Sequence, residues 1–523
     1  MQNLRINKKK IARFMAVFLI AVIVVGFTMT SVADEPYIAF DYDWWWETIP
    51  AQNGYIVDRV VTGADLGLAG GLRNPADVFI YPNTGEVFIV DSGNNRIVIT
   101  DYSFNKENTK VQSVFEYGEN YRLDPQKIGT KTTLNRPQGI HVMNMRGETR
   151  LYIADHDNGR VIACYRDDVD SEWKIWMEYT RPASHLYDQA VTFHPKKVVA
   201  DNAGNVYICI KSITRGAVMF EEGGSFSGYY GANRVERNFN AMLNYFLKYI
   251  LTPEQMEQRV RPVPVEFSNF TIDNDGFIYT VTEARSARLD VLKKLDPAGR
   301  NVFEQQGYDE MIWGAFHTPY VNGISYRSSI IDVSVDDKGN IFLMDFRSGK
   351  IFQYDYEGSL MFIFGGKGEQ KGLFNTPSAI ETHDEKVYIL DSVKNSLTVY
   401  KLTEFGELVN EAMELFNRGL YAEAKEPWEE ILRRDANYYM AYIGMGNAML
   451  SLGEFEESLS YFYMHSRGGY NRAFKDFRID YIRKNFDAFT AIAITVTVLA
   501  VGLNIFMKYR KKKKAKADTS SKG

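Results

Sequence analysis

An internal repeat constrains the fold of this chain more than any other feature. Two segments show the unit most clearly, at 74–105 (NPADVFIYPNTGEVFIVDSGNNRIVITDYSFN) and at 135–168 (NRPQGIHVMNMRGETRLYIADHDNGRVIACYRDD). Each runs from a short apolar strand through a polar turn into an alternating strand that ends in Asp, and five residues later an Arg opens a third strand. The two segments are therefore copies of one unit.

Four further copies bring the number of units to six. Two are clear, at 331–366 and 378–402, where Asp345 and Asp391 end the second strand. Two are weaker. One has Ile210 in place of the Asp, and in the other, at 270–300, an insertion shifts the residues that would match the repeat. The repeat thus extends through most of the chain.

The repeated Asp is followed five residues later by a base in most copies. Asp91 precedes Arg96 and Asp155 precedes Arg160, whereas Lys350 and Ser396 take this place in later copies. A carboxylate at a strand end can accept backbone N–H groups of the turn, and the base can pair with it. Because the pattern recurs in most copies, we expect it to shape the turn rather than to form one active site.

These units resemble the NHL repeat. The strand-turn-strand core reads VFIVDSGNNRIVI and the blade-closing strand reads YDYEGSLMFIFGG, and the resemblance covers roughly residues 55–402. It implies a mainly β fold, a six-bladed NHL-type β-propeller with about four strands per blade. The last unit, 375–402, supplies only three strands, so we predict that Tyr55–Thr62 completes its blade and closes the ring.

Two segments outside the repeat carry apolar side chains. The segment at about 235–262 has apolar residues at helical spacing, which predicts a helical insertion that forms a lid or contact surface, or packs on the propeller rim. The arm at 34–54 contains Trp44, Trp45 and Trp46. Exposed, the arm would be a strip for binding sugars or partners, and buried it would lie across the propeller; we favour burial.

The N-terminal end predicts export. Lys8, Lys9 and Lys10 precede an apolar run from Phe14 to Phe27, and the small residues before position 34 permit cleavage after Ala33. This pattern is typical of a signal peptide at 1–33, with an uncleaved membrane anchor as the alternative. In either case the chain that follows is exported.

The C-terminal end predicts a membrane anchor. Residues 488–507 carry no charge, and a stretch of 20 apolar residues is about the length needed to cross the hydrocarbon core. A Lys- and Arg-rich tail follows at 508–523. Such a tail is expected in the cytoplasm. We therefore predict a single-pass plasma-membrane protein whose bulk is extracytoplasmic, at the bacterial cell surface.

Between the repeats and the anchor, at 405–485, the apolar period changes from two to about 3.6. A set of small and aromatic residues recurs after 34 positions: Ala412, Leu415, Gly419, Ala424 and Trp428 correspond to Gly446, Met449, Gly453, Ser458 and Phe462. This period resembles the tetratricopeptide repeat and implies a small all-α module. Such modules bind peptides or proteins, so we expect a protein partner near the membrane; a stalk that orients the propeller is the alternative.

The innermost strands of the predicted propeller place six residues near the axial channel as possible ligand-binding groups: Asp77, His141, Lys197, Asn269, Asp332 and Glu381. Lys197 would repel a bound cation, and no second His aligns with His141, which disfavours a three-His zinc site. Asn269 with a carboxylate could hold Ca²⁺, so calcium is not excluded although no cofactor is predicted. The other histidines show no metal-ligand spacing.

Composition and motifs favour binding over catalysis. The net charge of −5 is small and the basic residues cluster at the chain ends, which argues against nucleic-acid binding. Only Cys164 and Cys209 occur, both in apolar contexts, and we expect buried free thiols. With no catalytic motif, we predict a binding or scaffold protein; a metal-dependent, lactonase-like hydrolase or lyase is the alternative. The layout resembles exported NHL proteins of Gram-positive bacteria that accompany carbohydrate uptake systems, which implies a transport complex as the partner.

Overall fold

The computed structural model describes residues 37, 39–42, 48–123, 125–233, 266–283, 290–305, 313–315, 320–321, 324–325, 328–463 and 465–520. The predicted signal peptide at 1–33, the tryptophans at 44–46 and the predicted helical insertion at 235–262 lie outside these residues.

Six sheets surround a common axis and form a six-bladed β-propeller. From the innermost strand outward, blade 1 contains Asp77–Tyr81, Glu86–Asp91, Arg96–Asp101 and Lys110–Gln112; blade 2 contains Pro137–Met145, Glu148–Asp155, Arg160–Tyr165 and Lys174–Thr180; and blade 3 contains Pro195–Ala200, Val206–Ile210, Gly216–Phe220 and Phe226–Gly231. Blade 4 contains Asn269–Ile272, Ile278–Val281 and Leu292–Leu295; blade 5 contains Ile330–Val335, Ile341–Asp345, Lys350–Tyr354 and Leu360–Gly365; and blade 6 contains Pro377–His383, Lys386–Asp391, Ser396–Leu402 and Tyr55–Thr62.

Smaller elements decorate this ring. Strands Val114–Tyr117 and Lys131–Thr133 extend the outer edge of blade 2. Two hairpins form separate two-stranded sheets, Phe40–Tyr42 with Thr48–Pro50 and Tyr320–Val321 with Ile324–Ser325. Short helical turns lie at Ser92–Asn94, Pro125–Lys127 and Val302–Gln305.

The ring is closed by the strand that the sequence predicted. Tyr55–Thr62 pairs antiparallel with Ser396–Leu402, with Thr62 opposite Ser396 and Tyr55 opposite Leu402. The innermost strands of consecutive blades contact each other, including Pro377–His383 of blade 6 with Asp77–Tyr81 of blade 1. An N-terminal strand therefore completes the last blade, and this prediction is confirmed.

Apolar side chains fill the spaces between neighbouring blades. Because a blade packs on both faces, its strands carry apolar residues almost without alternation; all five residues of Val206–Ile210, VYICI, are buried. Each of six hydrophobic clusters joins two neighbouring blades, for example Phe88 of blade 1 and Ile153 of blade 2. Cys164 and Cys209 lie in this packing as buried free thiols, as predicted.

The repeated Asp residues are buried structural acceptors, as predicted. Asp91 accepts a hydrogen bond from Arg96 Nε at 2.6 Å, and Asp391 accepts the turn N–H of Val393 at 2.9 Å. Each Asp also accepts an N–H from the segment that precedes the innermost strand of its own blade, such as Arg73 N to Asp91 at 2.7 Å. The carboxylate thus links the segment before a blade's innermost strand to the turn between its second and third strands. Lys350 departs from the pattern and lies over the Phe40 ring at 3.9 Å.

Six helices follow the propeller: α1 (Glu404–Asn417), α2 (Lys425–Arg434), α3 (Tyr439–Leu452), α4 (Phe455–Phe462), α5 (Arg467–Lys484) and α6 (Phe486–Ser520). Thr403 caps α1 by accepting the N–H of Gly406 at 3.0 Å. Gly444 of α3 lies so close to Trp428 of α2 that an added Cβ would meet its ring at 2.3 Å. Glycine is therefore required for this helix contact.

The helical unit α1–α4 is fixed to the propeller through one continuous core. Phe405 and Trp428 share a buried cluster with Phe364 of blade 5 and Tyr400 of blade 6. The N-terminal arm covers this junction, since Gln52 N donates to Asp435 Oδ2 at 2.7 Å. The propeller, arm and helical unit therefore form one packed body.

The last helix differs from the rest of the described chain. Within α6, the stretch Phe486–Lys512 contains an 18-residue window with a mean hydropathy of 2.2, and none of that window is buried. This helix is long and apolar enough to span a membrane, which is consistent with a single-pass anchor.

Candidate functional site

All six residues that the sequence places near the axis lie on innermost strands. Asp77, His141, Lys197, Asn269, Asp332 and Glu381 come one from each blade in order. Asp77, His141, Lys197 and Asp332 are buried. Charge interactions connect Lys197 with Asp77, Asp332 and Glu381, and His141 with Lys197. The structure therefore brings five of the six together; among the described residues, Asn269 Oδ1 accepts a hydrogen bond only within its own strand, from Phe270 N at 2.9 Å.

A buried ion pair occupies this axial group. Lys197 Nζ donates to both carboxylate oxygens of Asp77, each at 2.7 Å, and so joins blade 3 to blade 1. Burial alone would lower the pKa of Lys197, but the carboxylates of Asp77 and Asp332 outweigh burial and raise it. Lys197 therefore carries its positive charge near neutral pH.

Asp77 and Asp332 also hold neighbouring blades together. Asp77 Oδ2 accepts the N–H of Ile140 in blade 2 at 2.8 Å, and Asp332 Oδ2 accepts the N–H of Ile380 in blade 6 at the same distance. The same bond therefore recurs at two blade junctions. A repeated bond of this kind marks a structural role for both carboxylates.

The remaining axial groups favour their neutral forms. Burial raises the pKa of Asp332 to about 7, against the attraction of Lys197. Burial also raises the pKa of Glu381 to about 8, and burial together with Lys197 lowers the pKa of His141 to about 3. Near neutral pH the group therefore combines one ion pair, a neutral imidazole and two carboxyl groups that are partly protonated.

The raised pKa of Asp332 predicts a pH-dependent stability. Between about pH 4 and pH 7 the folded protein keeps a proton that the unfolded chain has lost, so the free energy of unfolding falls as pH rises. From pH 5 to pH 7 we expect Asp332 to account for a loss of about 2 kcal/mol. Urea unfolding at both pH values should therefore show that D332N loses about 2 kcal/mol less of its free energy of unfolding between pH 5 and pH 7 than the wild type does. If D332N and the exposed control D275N lost the same free energy of unfolding between pH 5 and pH 7, the assignment would be wrong.

A divalent cation does not fit the axial group. Both Asp77 oxygens are already bonded to Lys197, and that ammonium would repel a metal ion bound beside it. Among the described residues His141 is the single imidazole there, and its Nε2 is buried without a hydrogen-bond partner. The described residues therefore do not form a calcium or zinc site of the kind that needs several free carboxylate or imidazole ligands.

A second group of titratable side chains was not predicted from the sequence. His156, Asp157 and His194 each offer a ligand atom, and these atoms lie within 4.8 Å of one another at the junction of blades 2 and 3. No spacing along the chain signals them, because the two histidines are 38 residues apart and belong to different blades. His156 does interrupt the repeat pattern, since blades 1 and 6 have Ser92 and Ser392 at this position.

A polar cleft of about 600 Å³ lies at the end of blade 2 where the turns at Gly147 and at 166–169 join its strands. The guanidinium carbons of Arg122 and Arg150 lie 4.9 Å and 4.3 Å from the centre of the Trp176 ring. Arg166 also lines the cleft, but it pairs with Glu86 through two short hydrogen bonds. The cleft therefore has a mixed charge, with Arg122 as its exposed cation.

Known structures with similarity to this chain are remote. A virginiamycin B lyase from Staphylococcus aureus is 11% identical, with a TM-score of 0.35, over 63% of this chain and 95% of that chain. A gluconolactonase from Xanthomonas campestris is 11% identical, with a TM-score of 0.37, over 68% and 99%. A calcium-binding regucalcin from Agrobacterium tumefaciens is 9% identical, with a TM-score of 0.32, over 63% and 90%. No protein-family model and no curated protein matches the sequence.

Proposed function

We propose that this chain is a membrane-anchored extracytoplasmic binding or scaffold protein. The observation that carries the proposal is the continuous core shared by blades 5 and 6 with α1–α3, which makes propeller and helices one platform. A long, exposed apolar helix follows this platform after α5. A rigid body next to a membrane helix is suited to hold a partner at a fixed distance from the bilayer.

The finer assignment concerns the two repeat types. We propose that the propeller belongs with NHL repeats and that α1–α4 belong with tetratricopeptide repeats. Gly419 and Gly453, which are 34 residues apart, follow α1 and α3 with φ of 75° and 78°, so both helix pairs turn in the same way. A protein partner near the membrane, such as a transport complex, would dock on these helices.

The axial group does not favour the alternative, a metal-dependent hydrolase or lyase. Lys197 binds the carboxylate that a metal would need, and Asp77 and Asp332 each make a bond between blades. The groups at the axis therefore have structural partners, and this supports a binding role over catalysis.

Single engineered cysteines test the proposed orientation. Both native thiols are buried, so the wild-type protein should not react with a membrane-impermeant maleimide. In intact cells we expect N202C, in an exposed turn of blade 3, to be labelled and K514C, in the basic tail, to remain unlabelled until the membrane is permeabilised. The reverse pattern would place the propeller in the cytoplasm and overturn the proposal.

The same approach tests the proposed partner. Tyr463, which follows α4, is 71% exposed, so Y463C can carry a cysteine-directed photocrosslinker without disturbing the core. We expect a discrete crosslinked species with a second membrane protein from Y463C, and a weaker one or none from N202C. If both variants yield only uncrosslinked protein in native membranes, the scaffold role is wrong.

A further inference from the structure

A pair of histidines joins blade 2 to blade 3 on the face where the innermost strands begin. The rings of His156 and His194 stack with centroids 4.9 Å apart and an interplanar angle of 22°. His156 follows the repeated Asp of blade 2, and His194 immediately precedes the innermost strand of blade 3. Asp157 lies beside them and completes a group of three possible ligands.

This junction is built differently from two equivalent ones. At the junctions of blades 1 and 2 and of blades 6 and 1, a turn asparagine accepts the N–H of a residue that precedes a proline at or near the start of the next innermost strand. Asn95 accepts from Arg136 N at 2.8 Å, and Asn395 accepts from Asn74 N at 2.7 Å. At the junction of blades 2 and 3 the turn residue is Gly159, which has no side chain to make this bond. The histidine pair lies where that link is missing.

Hydrogen bonds fix the tautomer of both rings. His194 Nδ1 lies 3.1 Å from the carbonyl oxygen of His156, and His156 Nδ1 lies 2.6 Å from Asp157 Oδ1. A carbonyl and a carboxylate only accept, so each Nδ1 carries the proton and donates. Each neutral ring therefore has a lone pair on Nε2, and neither Nε2 has a hydrogen-bond partner among the described residues.

We propose that His156 and His194 bind a divalent transition-metal ion of the Zn²⁺ class through their Nε2 atoms. A histidine whose Nδ1–H donates to a carboxylate or a carbonyl has the usual arrangement of a metal ligand. Imidazole nitrogens suit Zn²⁺, Ni²⁺ or Cu²⁺ rather than Ca²⁺ or Mg²⁺. Water completes the coordination, and the ion bridges two blades.

The surroundings make the site accessible and set its charge. The side chains of His156 and Asp157 are 20% and 28% exposed, so an ion can enter from solvent. Asp157 supplies one negative charge, which Arg136 partly offsets from 3.5 Å. Because this one carboxylate is shared with a guanidinium, we expect the site to bind its ion with moderate affinity. The metal site is independent of the proposed scaffold role.

Two substitutions test the site. Each introduces the residue that another blade carries at the equivalent position, so we expect the fold to be kept. H156S introduces the residue of blades 1 and 6, and H194T introduces the residue that precedes the innermost strand of blade 6. H185A, an exposed histidine outside the group, is the matched control. The full-length protein, purified in detergent and freed of metal with a chelator, is titrated with Zn²⁺ by calorimetry.

We expect one Zn²⁺ per chain to bind to the wild type and to H185A, with an affinity at least about tenfold weaker in H156S and in H194T. Because the ion bridges two blades of the folded state, Zn²⁺ should also raise the thermal unfolding midpoint of wild type and H185A but not of H156S or H194T. Equal affinity and an equal thermal shift in all four proteins, or the absence of stoichiometric binding to the wild type, would overturn the proposal.

Discussion

Replacing Lys197 with methionine is expected to lower the free energy of unfolding by about 3–5 kcal/mol, because it leaves the buried Asp77 carboxylate without its counter-ion. Methionine keeps the length and apolar stem of the side chain, so most of the loss comes from the charge. The two Nζ bonds to Asp77, at 2.7 Å each, are lost together. The ammonium that attracts Asp332 and Glu381 is also lost, so the pKa of both carboxyl groups should rise further.

The neighbouring residue on the same strand supplies the control. Lys196 is partly exposed and makes no ion pair among the described residues, so K196M should change the free energy of unfolding by less than about 0.5 kcal/mol. The double variant D77N/K197M should recover part of the loss, because an amide needs no counter-ion and its oxygen can still accept the N–H of Ile140. Urea unfolding of all four proteins decides the matter. K197M as stable as K196M would mean that the axial ion pair contributes nothing.

The sequence predicted the propeller because its signals are local. Four of the six units carry their own apolar strands and their own Asp, and these features appear within about 30 residues of chain. The closing strand Tyr55–Thr62 could be predicted by counting, since the last unit was one strand short. The degenerate units of blades 3 and 4 still formed blades, because burial of apolar strands does not require the Asp.

The site could be predicted only in part, because its chemistry lies between blades. Alignment of the repeats placed Lys197 near the axis, but its bond to Asp77 spans 120 residues and has no local signal. The contact of His156 with His194 likewise depends on how two blades meet. The arm was expected to lie buried across the propeller, and Tyr42 does pack in a buried cluster with Ile363 of blade 5. The additional bond from Gln52 N to Asp435 of the helical unit, 383 residues away, has no signal in the sequence. Pairing between distant segments follows from the assembled fold and not from spacing.

A charge in the closing strand is expected to have the largest effect on stability. Val61 is 2% exposed, lies opposite Leu397 and packs between blades 6 and 1 with Ile89 and Leu390. Aspartate at this position would place a carboxylate in an apolar cluster with no partner. We expect V61D to lower the free energy of unfolding by more than about 4 kcal/mol, since the strand must leave blade 6 or bury the charge.

The adjacent residue separates closure from a general effect of added charge. Side chains alternate between the two faces of a strand, and Val60 is partly exposed where Val61 is buried, so V60D adds the same charge without entering the cluster. With V60D, urea unfolding should remain a single transition near the wild-type midpoint. With V61D we expect an early transition and rapid proteolysis within residues 55–62, because an unpaired closing strand exposes two sheet edges. If V61D unfolded in one transition at the midpoint of V60D, the ring would be stable without its N-terminal strand, and closure would not be what holds blade 6 against blade 1.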